Sequence, residues 1–132
     1  MNVGYKKILA PGGLIFLIDD DKSILEMMAS ILDKFGYRVI CSQNGAEALN
    51  IFKEKYPEIS LVMLDMIMPA MSGEEIFGEL KKISPDVNVL MTSGMLIDSR
   101  LEGLLKKGVL GILQKPFTID ELIEKLESLA KT

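Results

Sequence analysis

Five short apolar runs punctuate the chain, ending near positions 19, 42, 65, 93 and 115, so that gaps of 23, 23, 28 and 22 residues separate their ends. Each gap has room for one helix, and the pattern is that of a βα repeat. The runs Leu14 to Ile18, Ile59 to Leu64 and Val109 to Leu113 are almost continuously apolar. Strands covered on both faces of a parallel sheet read this way, because no face is left for polar residues. Tyr37 to Ser42 alternates more, with Arg38 and Ser42 intervening, and suits an edge strand.

The intervening segments change period. Ile24, Leu25, Met28, Ile31, Leu32 and Phe35 fall on one face of a first helix, which Gly36 can end. Asn44 with Glu47, Ser72 with Glu75 and Thr118 with Glu121 have capping-box spacing, or its asparagine analogue, and mark three further helix starts. Ile97, Leu101, Leu104 and Leu105 give a fourth helix its apolar stripe, with Gly108 after it. Ile119, Leu122, Ile123, Leu126 and Leu129 do the same for the last. Five βα units are too few to close an eight-stranded barrel, so an open, doubly wound α/β sheet with right-handed crossovers is expected.

Composition narrows the reading without altering it. At 132 residues the chain has the length of one compact domain that needs no disulfide or structural metal. Residues 1–13, with Lys6, Lys7 and the break Pro11-Gly12-Gly13, read as a flexible lead-in, and 14–132 as the domain. Hydrophobic residues at 48% and charged residues at 26% argue against disorder, and no apolar stretch reaches membrane or signal-peptide length, so a cytoplasmic protein is expected. A net charge of −4 supplies no field for nucleic acid. The single cysteine, Cys41, is expected to be a small apolar filler in a strand. Histidine is absent, which removes imidazole as general base, metal ligand or phosphoryl carrier within this chain.

The chemistry gathers at the carboxyl ends of the runs, where open α/β sheets bind their ligands. Asp19-Asp20 follows the first, Asp65 closes the third, Thr92-Ser93 ends the fourth and Lys115 follows the fifth. Two unit charges about 5 Å apart repel by roughly 3 kcal/mol at an effective dielectric near 20, so three clustered carboxylates need compensation. Lys115 and a hard divalent cation would provide it. Carboxylates, carbonyls and water suit magnesium, whereas zinc prefers the imidazole and thiolates that are missing. A carboxylate beside magnesium and a lysine can attack a phosphoryl group in line, and an aspartate is already ionised at neutral pH, so it needs no base. Ser93 can donate its hydroxyl to a phosphoryl oxygen. The bland readings are a turn or cap residue for Asp65, local backbone partners for Thr92 and Ser93, and a surface lysine for Lys115. Their conjunction weighs against those readings. Asp21 is better placed to begin the first helix than to face a metal.

From about Leu14 to Ala130 the chain resembles the response-regulator receiver domains of two-component signalling. The resemblance rests on Leu14-Ile15-Phe16-Leu17-Ile18-Asp19-Asp20-Asp21, on Leu64-Asp65-Met66-Ile67-Met68-Pro69 with Met71 and Gly73, on Met91-Thr92-Ser93-Gly94, and on Gln114-Lys115-Pro116-Phe117. It implies a flavodoxin-like five-stranded parallel sheet of order 2-1-3-4-5 with five helices. It implies Asp65 as phosphoacceptor, charged by a sensor histidine kinase or phosphotransfer protein. Magnesium would be held by Asp20, Asp65 and the backbone carbonyl of Ile67, with Asp19 acting through water. Lys115 would contact the phosphoryl group across a cis Lys115-Pro116 bond, and Ser93 rather than Thr92 would be the switch hydroxyl. The implied product is a signalling phosphoprotein with a downstream effector and a phosphorylation-dependent dimer, not a dedicated turnover enzyme.

Two departures qualify that picture. Ile112 stands where many receivers carry a tyrosine or phenylalanine that swings inward, which puts an aromatic switch in doubt. Ile67 and Met95 are apolar two residues beyond Asp65 and Ser93, and a slowly decaying phosphorylated state is expected of them. Competing readings are a pseudo-receiver that binds partners without phosphotransfer, a dehalogenase-type phosphatase, which would want an aspartate at Ile67, and a nucleotide-binding flavodoxin-like protein, which would want a phosphate loop after the first strand.

Overall fold

A computed structural model describes residues 12–94 and 99–129. Strands and helices alternate strictly: β1 Leu14–Ile18, α1 Lys22–Lys34, β2 Arg38–Ser42, α2 Gly45–Lys55, β3 Ile59–Asp65, α3 Gly73–Ile83, β4 Val89–Ser93, α4 Ser99–Lys106, β5 Gly111–Gln114 and α5 Ile119–Leu129. The strands form one parallel sheet in the order β2-β1-β3-β4-β5. β2, with its broken apolar pattern, lies at an edge, and β1 and β3 are interior and buried almost throughout.

Alternate strand residues feed two cores. Ile15 and Leu17 of β1, Leu61 and Met63 of β3 and Leu90 of β4 pack with Leu25, Met28 and Leu32 of α1 and Leu122 and Leu126 of α5. Phe16, Ile18, Val62, Leu64, Val89 and Met91 point the other way, toward Ala48 and Phe52 of α2, Ile76, Phe77 and Leu80 of α3 and Leu104 of α4. Helices thus cover both faces, which explains why the strands carry no polar alternation.

The helix ends follow the sequence signals closely. Asp21 caps α1, its carboxylate accepting from the N–H groups of Ser23 and Ile24. Asn44 accepts from Glu47 N–H at 2.7 Å, and Ser72 with Glu75 and Thr118 with Glu121 form reciprocal capping boxes. Gly36 (φ 89°) and Gly108 (φ 109°) occupy the left-handed position that ends α1 and α4. In both places the glycine N–H and the next residue's N–H return to the last turn: Gly36 to Asp33 and Tyr37 to Leu32, Gly108 to Leu105 and Val109 to Leu104. That double bond pattern is the Schellman motif, and a Cβ at the glycine would strain it.

Several sequence expectations are corrected. β5 begins at Gly111, because Val109 is taken up in ending α4 while Leu110 already donates to Val89. β2 begins at Arg38, since the Tyr37 N–H is spent on α1. Phe35, Leu105 and Ile119, expected on the apolar faces of their helices, are 51%, 45% and 51% exposed, each at or next to a helix end. Cys41 is exposed on the edge strand and fills no core gap. Ile97, Met95 and residues 1–11 of the expected lead-in lie outside the described residues, as does the side chain of Leu101. Gly12 and Gly13 are hydrogen-bonded to Gly36 and Arg38 beside the foot of β1.

Candidate functional site

The strand order reverses between β1 and β3, and the loops leaving these two strands splay apart to opposite faces. Asp19 lies just beyond β1, where its N–H donates to Ser42 and its carboxylate Oδ1 accepts from the Asp21 N–H at 2.9 Å. Asp65 ends β3 opposite Thr92 of β4. Its Oδ1 accepts from the Ile67 N–H at 3.2 Å. The two carboxylates are 4% and 6% exposed, whereas Asp20 is open to solvent. One oxygen from each of Asp19, Asp20 and Asp65 lies within 4.8 Å of the others.

Lys115 enters from the far edge. Its N–H donates to the Ser93 carbonyl at 2.7 Å, which fixes the backbone at the end of β5 against the end of β4, and the Lys115-Pro116 peptide is cis. The ammonium Nζ is 2.7 Å from Asp19 Oδ2 and 3.6 Å from Asp65 Oδ2. Lysine therefore pairs first with Asp19 and second with Asp65. Thr92 and Ser93 are both buried at the end of β4. The Ile67 backbone N–H serves Asp65, and its side chain is 51% exposed.

Burial is the dominant electrostatic influence on Asp65, pushing its carboxyl up to about 6 from an ordinary 3.8. The Ile67 N–H and the Lys115 charge pull the other way, and Asp19 and Asp20 add to the rise. At pH 7 the group is still chiefly a carboxylate, about ten ionised for each neutral. Burial alone would lower the Lys115 ammonium, but the hydrogen bond and charge of Asp19, with Asp65 behind them, outweigh it and leave it raised. Three carboxylates against one lysine leave net negative charge in a crevice walled by apolar core. A divalent cation fits that deficit and an all-oxygen donor set. The 4.8 Å spread is a little wider than the roughly 4.2 Å between opposite ligands of octahedral magnesium, a difference within side-chain adjustment.

Gly73 has a structural task that its place in the sequence motif did not reveal. A Cβ there would lie 2.6 Å from the Met66 Cα and 2.7 Å from the Asp65 carbonyl oxygen, so only glycine lets α3 start this close to the end of β3. Its N–H donates to Met66 at 2.8 Å. Ala70 is another such residue, held at φ 69° in a tight turn closed by Met71 N–H to the Pro69 carbonyl at 2.7 Å. No residue type signals that turn, because alanine is not what a left-handed position favours.

An open α/β domain with an acidic, lysine-bridged crevice at its topological switch point describes a phosphoryl-handling signalling fold more narrowly than it describes flavodoxin-like proteins at large. A model of the response regulator receiver domain matches residues 15–127, and the chain belongs to that family, whose general work in two-component signalling is phosphorylation-dependent switching. The chain is 31% identical over 118 residues to the response regulator MprA of a Mycobacterium species, covering 89% of this chain and 50% of that protein. It is 38% identical over 120 residues to the transcriptional regulatory protein ZraR of Klebsiella oxytoca, covering 89% of this chain and 26% of that one. It thus spans about half the length, or less, of these curated relatives. A response regulator receiver domain protein from Clostridium thermocellum superposes with a TM-score of 0.83 at 31% identity, over 89% of this chain and 94% of that one. Receiver domains generally bind magnesium through an acidic pocket, and the Asp19, Asp20 and Asp65 cluster is of that kind. No helix among the described residues is long and apolar enough to cross a membrane.

Proposed function

We propose that Asp65 accepts a phosphoryl group from a phosphohistidine on a sensor histidine kinase or phosphotransfer protein, and that the modified domain then engages a downstream effector. The observation that carries this reading is the position of Lys115, whose one ammonium spans Asp19 and Asp65 at the mouth of a buried acidic crevice. An Asp65 carboxylate oxygen attacks phosphorus, the new O–P bond forms as the P–N bond to the donor breaks, and the imidazole leaves. Asp19, Asp20 and Asp65, with the Ile67 carbonyl, would hold magnesium, which when bound neutralises phosphoryl oxygens. Lys115 moves from its carboxylate partners toward the phosphoryl oxygens, and the Ser93 hydroxyl donates to another. The modification adds about −1.5 to −2 charge, which biases the loops after β3 and β4 and the face built by α4, β5 and α5.

Ile112 is half-buried against the core that contains Leu104 and Val109, so this face has an aliphatic hinge in place of an aromatic one. Switching therefore runs through Ser93 and the segment leading to α4. Exposed Ile67 shields the crevice mouth from hydrolytic water, which supports a slowly decaying phosphorylated state. The domain modifies itself and turns over no separate substrate, works in the cytoplasm, and associates with a second copy when phosphorylated.

Incubation with acetyl phosphate and magnesium, followed by intact mass measurement, tests the reading: one phosphoryl adduct is expected, absent in Asp65→Ala. Folded, magnesium-loaded protein with no adduct would identify a pseudo-receiver instead. The adduct's half-life should shorten several-fold in Ile67→Asn, and an unchanged half-life of seconds would overturn the role given to Ile67.

A further inference from the structure

Beside the acidic crevice lies an apolar recess of about 430 Å³, lined by Ile24 and Met27 of α1, by Gly94 after β4 and by Lys115, Pro116 and Phe117 after β5. Its size falls in the range of small-ligand sites. Lys115 belongs to both spaces, lining the recess while its ammonium reaches Asp19 and Asp65. Lys115 thus borders both the recess and the acidic crevice, and among the described lining residues the charged one is this cation. Met27, half exposed, leaves the recess open to small molecules from solvent. Gly94 contributes no side chain, and a Cβ there would meet nothing within 4 Å.

We infer that this recess is a leaving-group site for small acyl phosphates with an apolar acyl group, aromatic or branched aliphatic, and that it sets a preference for them over acetyl phosphate. The inference rests on phosphorylation of Asp65. With the phosphoryl group beside Asp65 and Lys115, the acyl group of such a donor has an apolar wall of Ile24, Met27, Pro116 and Phe117 to lie against. An Asp65 oxygen attacks phosphorus, the O–P bond to Asp65 forms, and the P–O bond to the acyl carboxylate breaks. The leaving group departs as a carboxylate anion, taking the electron pair of that bond. No proton is needed on either side, which suits a site without histidine. The departing carboxylate remains close to Lys115, and the apolar acyl group is desolvated in the transition state and not only in the ground state if departure carries it deeper into the recess.

The test compares benzoyl phosphate with acetyl phosphate as donors to the full chain with magnesium, following the Asp65 adduct by intact mass. Each donor's rate is normalised to the rate for Gly94→Leu, which fills the recess from a position where the fold has space, and for Met27→Lys, which places a second cation in its wall. The wild-type ratio of benzoyl to acetyl phosphate second-order rate constants should exceed that of Gly94→Leu by roughly five- to tenfold, the return expected for partly burying one aromatic ring. Circular dichroism and thermal unfolding establish that both variants are folded. If the ratio is the same in all three proteins, the recess does not take the acyl group and serves another purpose, such as contact with a partner helix. If no donor yields an adduct that Asp65→Ala removes, phosphorylation at Asp65 itself fails and the inference falls with it. An adduct with both donors and no change of ratio sinks only the recess.

Discussion

α1 and α4 end in the same Schellman motif, yet they are anchored very differently. α1 runs for 13 residues, is capped by Asp21, and buries Leu25, Met28 and Leu32 against β1, β3 and α5. α4 runs for 8 residues, and among its described side chains the buried one is Leu104. At the start of α4, Arg100 pairs with Glu74 in the first turn of α3, Nε to Oε1 at 3.0 Å, with both side chains substantially exposed. Among the described side chains, α1 is the more heavily buried of the two. Local stability tracks the amount of apolar contact, so elements that respond to a signal come from the weakly packed end of that range. α1 supplies a fixed wall for the acidic crevice, whereas α4 follows directly on the segment that leaves Ser93.

The largest effect should come from breaking the fixed element. Leu32 has no exposed surface and belongs to the core that α1 shares with β1, β3 and α5. Leu32→Ala should cost about 3 kcal/mol of global stability by denaturant unfolding, from lost transfer free energy plus the cavity left behind. A loss under about 1 kcal/mol would mean that α1 is no better anchored than α4.

A second effect sits in the crevice between them. Because burial raises the folded Asp65 pKa to about 6 from 3.8, the native state binds this proton more tightly than the unfolded chain does. Metal-free stability from this group is therefore present below pH 4 and lost as pH rises through 6. The difference, a little over two pKa units, is worth on the order of 3 kcal/mol. Asp65→Asn should stabilise the metal-free protein by about that amount at pH 7 and by almost nothing near pH 4, measured by urea unfolding. Magnesium should shrink the gap by supplying the missing charge, and a gap that is independent of both pH and magnesium would exclude desolvation as its source. On the proposed role of Asp65 as phosphoacceptor, the same proton limits the nucleophile, so phosphorylation should weaken below pH 6 where magnesium is scarce.

Much of this architecture was legible in the sequence, and the reasons differ from element to element. Ser72 with Glu75 and Thr118 with Glu121 announce helix starts because a capping box is local chemistry, complete within four residues. Asp19, Asp65 and Lys115 converge because a parallel sheet sends all its strand ends to one side. What stayed hidden depends on neighbours the sequence does not order. Phe35 and Ile119 satisfy the helical period, but whether another element extends far enough to cover them is a matter of tertiary placement. That Lys115 lies closer to Asp19 than to Asp65 is set by side-chain packing. Gly73 was visible as a motif glycine, yet its reason, an approach to the Asp65 carbonyl that no Cβ would allow, emerges only in three dimensions.

The smallest effect is the most informative about the contrast between the helices. An exposed ion pair such as Arg100 with Glu74 contributes about 0.2–1 kcal/mol, so Arg100→Gln should barely alter global unfolding. If the pair anchors the start of α4, its loss should appear locally: amide hydrogen exchange in α4 should accelerate by about twofold to fivefold while exchange in α1 stays unchanged. High salt should produce the same change in the wild type and none in the variant, because screening removes what the substitution has already removed. Glu74→Gln should reproduce the effect, and the double variant should add nothing to either single one. Uniform acceleration across both helices would mean instead that α1 and α4 belong to one cooperative unit. The switch proposed for Ser93 would then lack a separately mobile element to act through, and the proposed response to charge at Asp65 would have to be carried by the sheet as a whole.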